Sequence, residues 1–173
     1  MLVDRRVSRY YPGMMILNCL LLLLTANGAP LLARLLPGLR HWNRPLDGGY
    51  RLIDGERLFG QHKTWRGLFA AILLTAPVAW FLNLPLWLGI LFALFSMLGD
   101  LLGSFVKRRW HIAPGARAIG LDQLPEALLP LLLLRQPLGL GWHSILITTV
   151  LFMIVVLLLS RILYYLRIRK NPW

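Results

Sequence analysis

The chain has 173 residues, 57% of them hydrophobic, and its 19 Lys and Arg against 7 Asp and Glu give a net charge of +12. Because the apolar residues form uninterrupted runs, this composition excludes an ordinary soluble domain and predicts a polytopic membrane protein. Positive charge beside such runs is typical of cytoplasmic loops and of phosphate or headgroup binding, so we expect no nucleic acid as a partner. The single cysteine, Cys19, excludes an internal disulfide and leaves oxygen ligands for any metal.

Five apolar segments follow one another along the chain and predict an all-α fold, a polytopic integral membrane bundle of about five transmembrane helices. We treat residues 1–173 as one membrane domain. The predicted spans are 14–36, 68–82, 86–105, 121–138 and 144–166, and the predicted cytoplasmic loops are 37–67 and 106–121. The first span could instead be a signal peptide, but its apolar run continues past the expected cleavage site. Charged residues and prolines interrupt the fourth span, and a membrane segment tolerates such polar groups where they face protein or water.

Basic residues indicate how the spans are oriented. They concentrate in the two loops and the C-terminal tail, at Arg40, Arg44, Arg51, Arg57, Lys63, Arg66, Lys107, Arg108, Arg109, Arg117, Arg161, Arg167, Arg169 and Lys170. The positive-inside rule therefore puts both loops and the C-terminus in the cytoplasm and the N-terminus outside. Arg5, Arg6 and Arg9 run against this assignment and would suit a re-entrant first span. A run of 20 uncharged positions, 14–33, favours a full crossing.

The first loop combines glycines with basic side chains. Residues 47–67 hold several glycines together with Lys63, Thr64 and Arg66. Backbone amides exposed by glycine, beside Lys and Arg, make a reasonable phosphate cradle. The spacing is not that of a P-loop, and the alternative interpretation is a flexible basic loop that rests on anionic headgroups.

A second polar cluster surrounds the end of the third span. Helical spacing puts Asp100, Ser104 and Lys107 along one face. A carboxylate so close to hydrocarbon is costly unless it is paired or binds a metal, and the structural alternative is an Asp100–Lys107 pair. Asp122 is a natural N-cap for the fourth helix, and Glu126 lies one turn further on the same face.

Carboxylates surrounded by lysines and arginines at the cytoplasmic mouth of a bundle suit Mg²⁺ that carries a triphosphate. Magnesium takes one or two carboxylates together with substrate phosphates and water, and basic side chains neutralise the charge on a leaving pyrophosphate. The pattern therefore predicts phosphoryl or nucleotidyl transfer to a lipid.

At these residues the sequence resembles the CDP-archaeol synthase family, small five-span relatives of the phosphatidate cytidylyltransferases. The resemblance covers nearly the whole chain and rests on Asn27, Pro30, Pro45-Leu46-Asp47, Asp54-Gly55, Arg57, Gly60, Lys63-Thr64-Trp65-Arg66-Gly67, Gly99-Asp100, Ser104-Phe105, Lys107-Arg108-Arg109 and Leu121-Asp122-Gln123-Leu124. It implies an Mg²⁺-dependent reaction in which a lipid phosphate attacks the α-phosphorus of CTP, giving a CDP-lipid and pyrophosphate. The family usually has a second aspartate where this chain has Pro125, and we expect Glu126 to substitute for it. A glycine also commonly precedes the lysine where this chain has His62.

The resemblance and the polar clusters together define the expected site. The catalytic residues are Asp100, Lys107 and Asp122; the substrate-binding residues are Asp54, Lys63, Thr64, Arg66, Ser104 and Arg108; the metal ligands are Asp100, Asp122 and Glu126. The runner-up is a non-catalytic membrane protein of the same fold that binds a nucleotide or a lipid headgroup, which Pro125 favours. A transporter ranks third, because no paired inverted repeat supports it. The sequence leaves open a homo-oligomer and the lipid, which could be an archaeal ether lipid, phosphatidic acid or another lipid phosphate.

Overall fold

Five helices arise from the five apolar segments. The computed structural model describes residues 12–36, 38, 42–113, 116, 118 and 120–165. The helices are α1 (Pro12–Leu35), α2 (Trp65–Phe81), α3 (Leu86–Arg109), α4 (Gln123–Leu133) and α5 (Trp142–Tyr165). Within those residues the only β-type pairings are two isolated bridges in the first loop, so the predicted all-α fold is confirmed. The basic positions Arg5, Arg6, Arg9, Arg40, Arg117, Arg167, Arg169 and Lys170 lie outside the described residues.

Three of the described helices are long and apolar enough to cross a membrane, over 13–35, 86–109 and 142–162. Helices α2 and α4 are shorter, at 17 and 11 residues. Helix α4 ends at Leu133, earlier than the predicted span, and residues 134–139 form turns. Arg135 stabilises this chain reversal, because its Nε donates to the Leu140 carbonyl at 3.1 Å and its guanidinium lies 4.1 Å from the Trp142 ring centroid.

Helices α2 and α3 form a tight antiparallel hairpin. Asn83 takes the left-handed conformation, with φ of 58°, between the two helices. A Cβ atom at Gly89 would lie 2.6 Å from the Ala79 Cβ and 2.9 Å from the Thr75 carbonyl oxygen. Since no side chain fits there, glycine brings the two helix backbones into direct contact.

Helix α3 approaches the start of α4 in the same way. A Cβ at Gly99 would overlap the Pro125 carbonyl group, and one at Gly103 would lie 2.6 Å from the Leu121 carbonyl oxygen. Small residues allow such close backbone approach between helices. The two glycines therefore bring the acidic start of α4 against the face of α3 that carries Asp100.

The apolar core fills the interior of the bundle. It includes Leu22 and Leu23 of α1, Phe92 of α3, Leu131 of α4 and Phe152 of α5, all fully buried. Because the helices alternate in direction, the C-terminal ends of α1, α3 and α5 meet the N-terminal ends of α2 and α4 at one end of the bundle. The polar residues of the expected site lie at that end.

Candidate active site

A cavity of about 590 Å³, here called the main cavity, opens among the helix ends. The first loop and all five helices contribute to its wall. Its charged and hydroxyl-bearing lining includes Arg34, His62, Lys63, Thr64, Asp100, Ser104, Lys107, Arg108, Asp122, Glu126, Ser160 and Arg161. Eight of the ten predicted site residues therefore share one cavity.

Lys63 and Asp100 form the first ion pair of the cavity. The Lys63 Nζ lies 2.6 Å from Oδ1 and 2.5 Å from Oδ2 of Asp100. Lys63 directly precedes Thr64, whose hydroxyl accepts from the Gly67 amide and caps α2. The cap fixes the start of α2, and Lys63 can thereby reach across to α3.

Lys107 and Asp122 form the second pair. The Lys107 Nζ donates to Asp122 Oδ1 at 2.9 Å and to the Ala116 carbonyl at 2.7 Å, and Asp122 Oδ2 accepts from the Ala118 amide. Asp122 occupies the N-cap position of α4, but its side chain makes no capping hydrogen bond, so the expected capping role is wrong. The alternative Asp100–Lys107 pair does not form either, since each partner is bound elsewhere.

Glu126 is the third acid of the cavity. It is 8% exposed, lines the main cavity, and has no hydrogen-bond partner among the described residues. Asp100 and Asp122 line the same cavity, and their charges and that of Lys63 act on Glu126. In the part of the chain that the structure describes, no three acidic, His or Cys side chains form a ready metal cluster. Two carboxylates with phosphate oxygens suffice for Mg²⁺, so the oxygen-rich donor set still fits that ion.

Arg108 is buried and has unsatisfied hydrogen-bond donors. It is 3% exposed, and within the described residues neither its Nε nor its Nη1 has a hydrogen-bond acceptor. A buried guanidinium with unsatisfied donors is costly, and it is the planar group that best matches phosphate oxygens. The geometry makes Arg108 a candidate ligand for an anion.

Two predicted site residues lie elsewhere. Asp54 Oδ2 is 3.1 Å from the Arg109 Nε, and Asp54 does not line the main cavity. Arg66 is 5% exposed, and its Nη2 donates to Asn43 Oδ1 at 3.1 Å. Arg66 is also absent from the cavity wall. Both side chains support the first loop in this structure.

Sequence reasoning missed the residue that organises the first loop, Asp47. Its buried carboxylate accepts from the amides of Gly49 at 3.0 Å, Phe59 at 3.3 Å and Gly60 at 2.9 Å. Burial alone would raise the pKa of Asp47, but these three hydrogen bonds and the charge of Arg57 together hold the pKa below its usual value. The Asp-Gly-Gly sequence, typical of a turn in which Asp binds the backbone, was the available signal.

His62 lines the main cavity and was also not among the predicted site residues. Its Nδ1 lies 3.4 Å from Arg34 Nη2. Partial burial and, to a smaller extent, the positive charges of Arg34, Lys63 and Arg108 lower the pKa of His62. The imidazole is therefore neutral at pH 7 and can accept a hydrogen bond.

Comparison with known proteins identifies the family. The model of the CarS-like CDP-archaeol synthases matches residues 13–87 and 77–173. The chain belongs to the CDP-archaeol synthase family. Curated relatives named CDP-archaeol synthase are 38% identical in Sulfurisphaera tokodaii, over 75% of this chain and 81% of the relative, and 34% identical in Pyrobaculum arsenaticum, over 86% and 91%.

A solved structure of an intramembrane enzyme for archaeal membrane lipid biosynthesis has the same fold, with a TM-score of 0.70. It is 28% identical, and the match covers 83% of this chain and 91% of that one. As a CDP-archaeol synthase family member, the chain is an integral membrane cytidylyltransferase that uses CTP to activate a lipid phosphate. The predicted fold and enzyme class are confirmed, and the non-catalytic alternative is not favoured.

The main cavity of this CDP-archaeol synthase family member also has an apolar part to its lining. It includes Leu24 and Leu31 of α1 and Val156, Leu157 and Leu159 of α5. These side chains offer the hydrocarbon-like surface that a lipid tail requires, next to the charged residues that a phosphate requires.

Proposed function

We propose that CTP and the lipid phosphate meet in the main cavity, with Lys63, Lys107 and Arg108 on the phosphates and Thr64 and Ser104 as hydroxyl contacts. The observation that carries this proposal is the gathering of two Lys–Asp pairs, a buried unpaired Glu126 and a buried Arg108 with unsatisfied donors around one cavity. This arrangement supplies cations and anions in the same small space, as a bound metal–nucleotide complex requires.

The two Lys–Asp ion pairs rearrange when the substrates bind. In the reaction, an oxygen of the lipid phosphate attacks the α-phosphorus of CTP, and the bond from that phosphorus to the β-phosphate oxygen breaks. The ammonium groups of Lys63 and Lys107 exchange their aspartates for the phosphates, whose negative charge moves toward the leaving pyrophosphate. Asp100, Asp122 and Glu126 would then hold Mg²⁺, which neutralises the triphosphate when bound.

The lipid approaches from the side between α1 and α5. The apolar lining contributed by Leu31 and Leu157 takes the chains, while Arg34 and Arg161, which line the same cavity as the phosphate-binding residues, guide the headgroup. A lipid of either ether or ester linkage satisfies these contacts, because the described cavity recognises its ligand through charge and apolar surface.

The polar end of the bundle faces the cytoplasm in this proposal, where CTP is available. Single cysteines test it in a Cys19→Ala background. Ile53, fully exposed in the first loop, and Gly141, exposed and with nothing within 4 Å of the position that a Cβ would occupy, lie at opposite ends of the bundle. An impermeant thiol reagent added to intact cells should label Gly141→Cys and spare Ile53→Cys; the reverse pattern refutes the orientation.

Incorporation of labelled CTP into lipid by purified protein tests the activity. We expect a CDP-lipid in the presence of Mg²⁺ with an archaeol-type ether lipid phosphate, phosphatidic acid or both, and the comparison identifies the preferred class. Lys63→Ala should lower the rate about a hundredfold, since it removes a charge-assisted contact at the reacting phosphates. Arg44→Ala, at an exposed basic residue that does not line the main cavity, is the matched control. Absence of product from the wild-type protein with both lipids refutes the proposed function.

A further inference from the structure

A second pocket adjoins the main cavity on the side of the first loop. This loop pocket has a volume of about 400 Å³ and is lined by Arg51, Glu56, Arg57, Gly60, Gln61 and Arg108. Gly60 and Arg108 also line the main cavity, so the two spaces are adjacent. Three guanidinium groups and one carboxylate give the loop pocket a net positive charge at pH 7.

Arg108 is the observation that points to a ligand. Its side chain lies at the boundary between the two spaces, nine-tenths or more buried, with Nε and Nη1 unpartnered among the described residues. Leaving such donors unsatisfied in the absence of a ligand is unfavourable, and an anion held on either side of Arg108 would satisfy them.

At Gly60, where the main cavity and the loop pocket adjoin, no side chain of the described residues blocks the junction and the backbone is fixed. The Gly60 amide donates to Asp47 Oδ2 at 2.9 Å, and the residue has a φ of +99°. No atom lies within 4 Å of the position that a Cβ would occupy. Glycine therefore leaves free space beside Arg108 at the junction, while Asp47 fixes the backbone.

We propose that the loop pocket receives inorganic pyrophosphate as it leaves the main cavity. This inference rests on the proposed function and deepens it. When the lipid phosphate oxygen bonds to the α-phosphorus, the electron pair of the broken bond stays on the pyrophosphate oxygen and makes the product a polyanion. Arginine binds such phosphate oxygens in a bidentate manner, and Arg108 can pass the product from the main cavity to Arg51 and Arg57.

Product inhibition by pyrophosphate tests the proposal, with KI for pyrophosphate and KM for CTP measured on the same purified protein. Arg51→Gln and Arg57→Gln should each raise KI about tenfold, because each loses one charge-assisted contact. The rise in KI should exceed any rise in KM at least about fivefold. Arg44→Gln, at a loop arginine outside both cavities, is the control for loss of one positive charge.

Two results overturn the proposal. One is an unchanged KI in both variants; the other is an equal rise in KI and KM, which would mean that the loop pocket holds the phosphates of CTP itself. If Arg57→Gln misfolds, Arg51→Gln alone carries the test. Arg51 is exposed, and among the described residues its guanidinium donates only to the Gly55 carbonyl of an exposed turn, so its replacement should leave the fold intact.

Calorimetric titration of pyrophosphate into the detergent-solubilised protein, without CTP or lipid, separates this inference from the proposed function. Binding that depends on Arg51 and Arg57, in a wild-type protein that makes no CDP-lipid, refutes the proposed function and supports the pocket. Turnover by the wild-type protein with pyrophosphate binding that is independent of both arginines refutes the pocket alone.

Discussion

Gly99→Ala tests whether the contact between α3 and α4 sets the geometry of the acids. The added methyl group would overlap the Pro125 carbonyl and lie 2.6 Å from the Glu126 Cα. Ordinary van der Waals contact begins near 3.4 Å. The shortest contact, with the Pro125 carbonyl oxygen, sets the shift: the start of α4 must move away from α3 by about 1.3 Å there and by about 0.8 Å at the Glu126 Cα. This movement carries Glu126 and Asp122 away from Asp100.

The expected cost follows from that displacement. Overpacking of this kind destabilises by about 1–3 kcal/mol, and a misplacement of about 1 Å in a catalytic constellation costs about a hundredfold in rate. A thermal melt in detergent and the CTP incorporation assay measure the two effects. Gly13→Ala is the matched control, since Gly13 is a helical glycine with nothing within 4 Å of the position that a Cβ would occupy. If Gly99→Ala turns over as fast as Gly13→Ala, the close contact is not what positions the carboxylates.

Three further predictions concern single side chains. Glu126→Gln should raise the Mg²⁺ concentration for half-maximal rate about tenfold, with recovery at high Mg²⁺, since charge count governs affinity for this ion; equal Mg²⁺ curves for variant and wild type contradict a ligand role. Lys107→Met should lower the rate about a hundredfold, because the phosphates lose a cation and Asp122 and the Ala116 carbonyl lose their shared donor, whereas an unchanged rate would exclude Lys107 from phosphate binding. The lowered pKa of Asp47 means that its stabilisation is present above about pH 4 and lost as the pH falls through the folded-state value. Asp47→Asn should lower the free energy of unfolding by about 2 kcal/mol at pH 7 and make the melting temperature less dependent on pH below about pH 4. A variant with the melting temperature of the wild type both at pH 7 and in acid would exclude the role.

The helices were predictable because a long apolar run is a local property of the chain. The ion pairs were not. Asp100 and Lys107 share a face of α3 but lie seven positions, about 10 Å, apart along the axis, too far for direct contact. Their actual partners, Lys63 and Asp122, come from other segments that only the packing of α3 against α2 and α4 brings near.

The local sequence also did not show that Lys63 lines the main cavity and Arg66 does not. Their spacing of three residues predicts that both bind phosphate, but α2 begins between them at Trp65. Lys63 precedes the helix and reaches the cavity, whereas Arg66 lies in its first turn and turns to Asn43. Thr64 does mark the helix start, and a stricter use of that capping signal would have separated the two basic residues.

The tight α2–α3 hairpin has a consequence for how the protein is made. Its two helices are neighbours in sequence, joined through Asn83, Leu84 and Pro85, and Gly89 lets them touch without rearrangement of side chains. Contacts so local close quickly, before distant segments have been synthesised. We therefore expect the hairpin to enter the bilayer as one unit during translation, which would allow the shorter α2 to be inserted together with the longer α3. Helices α4 and α5, synthesised later, would then pack against helices that are already in place.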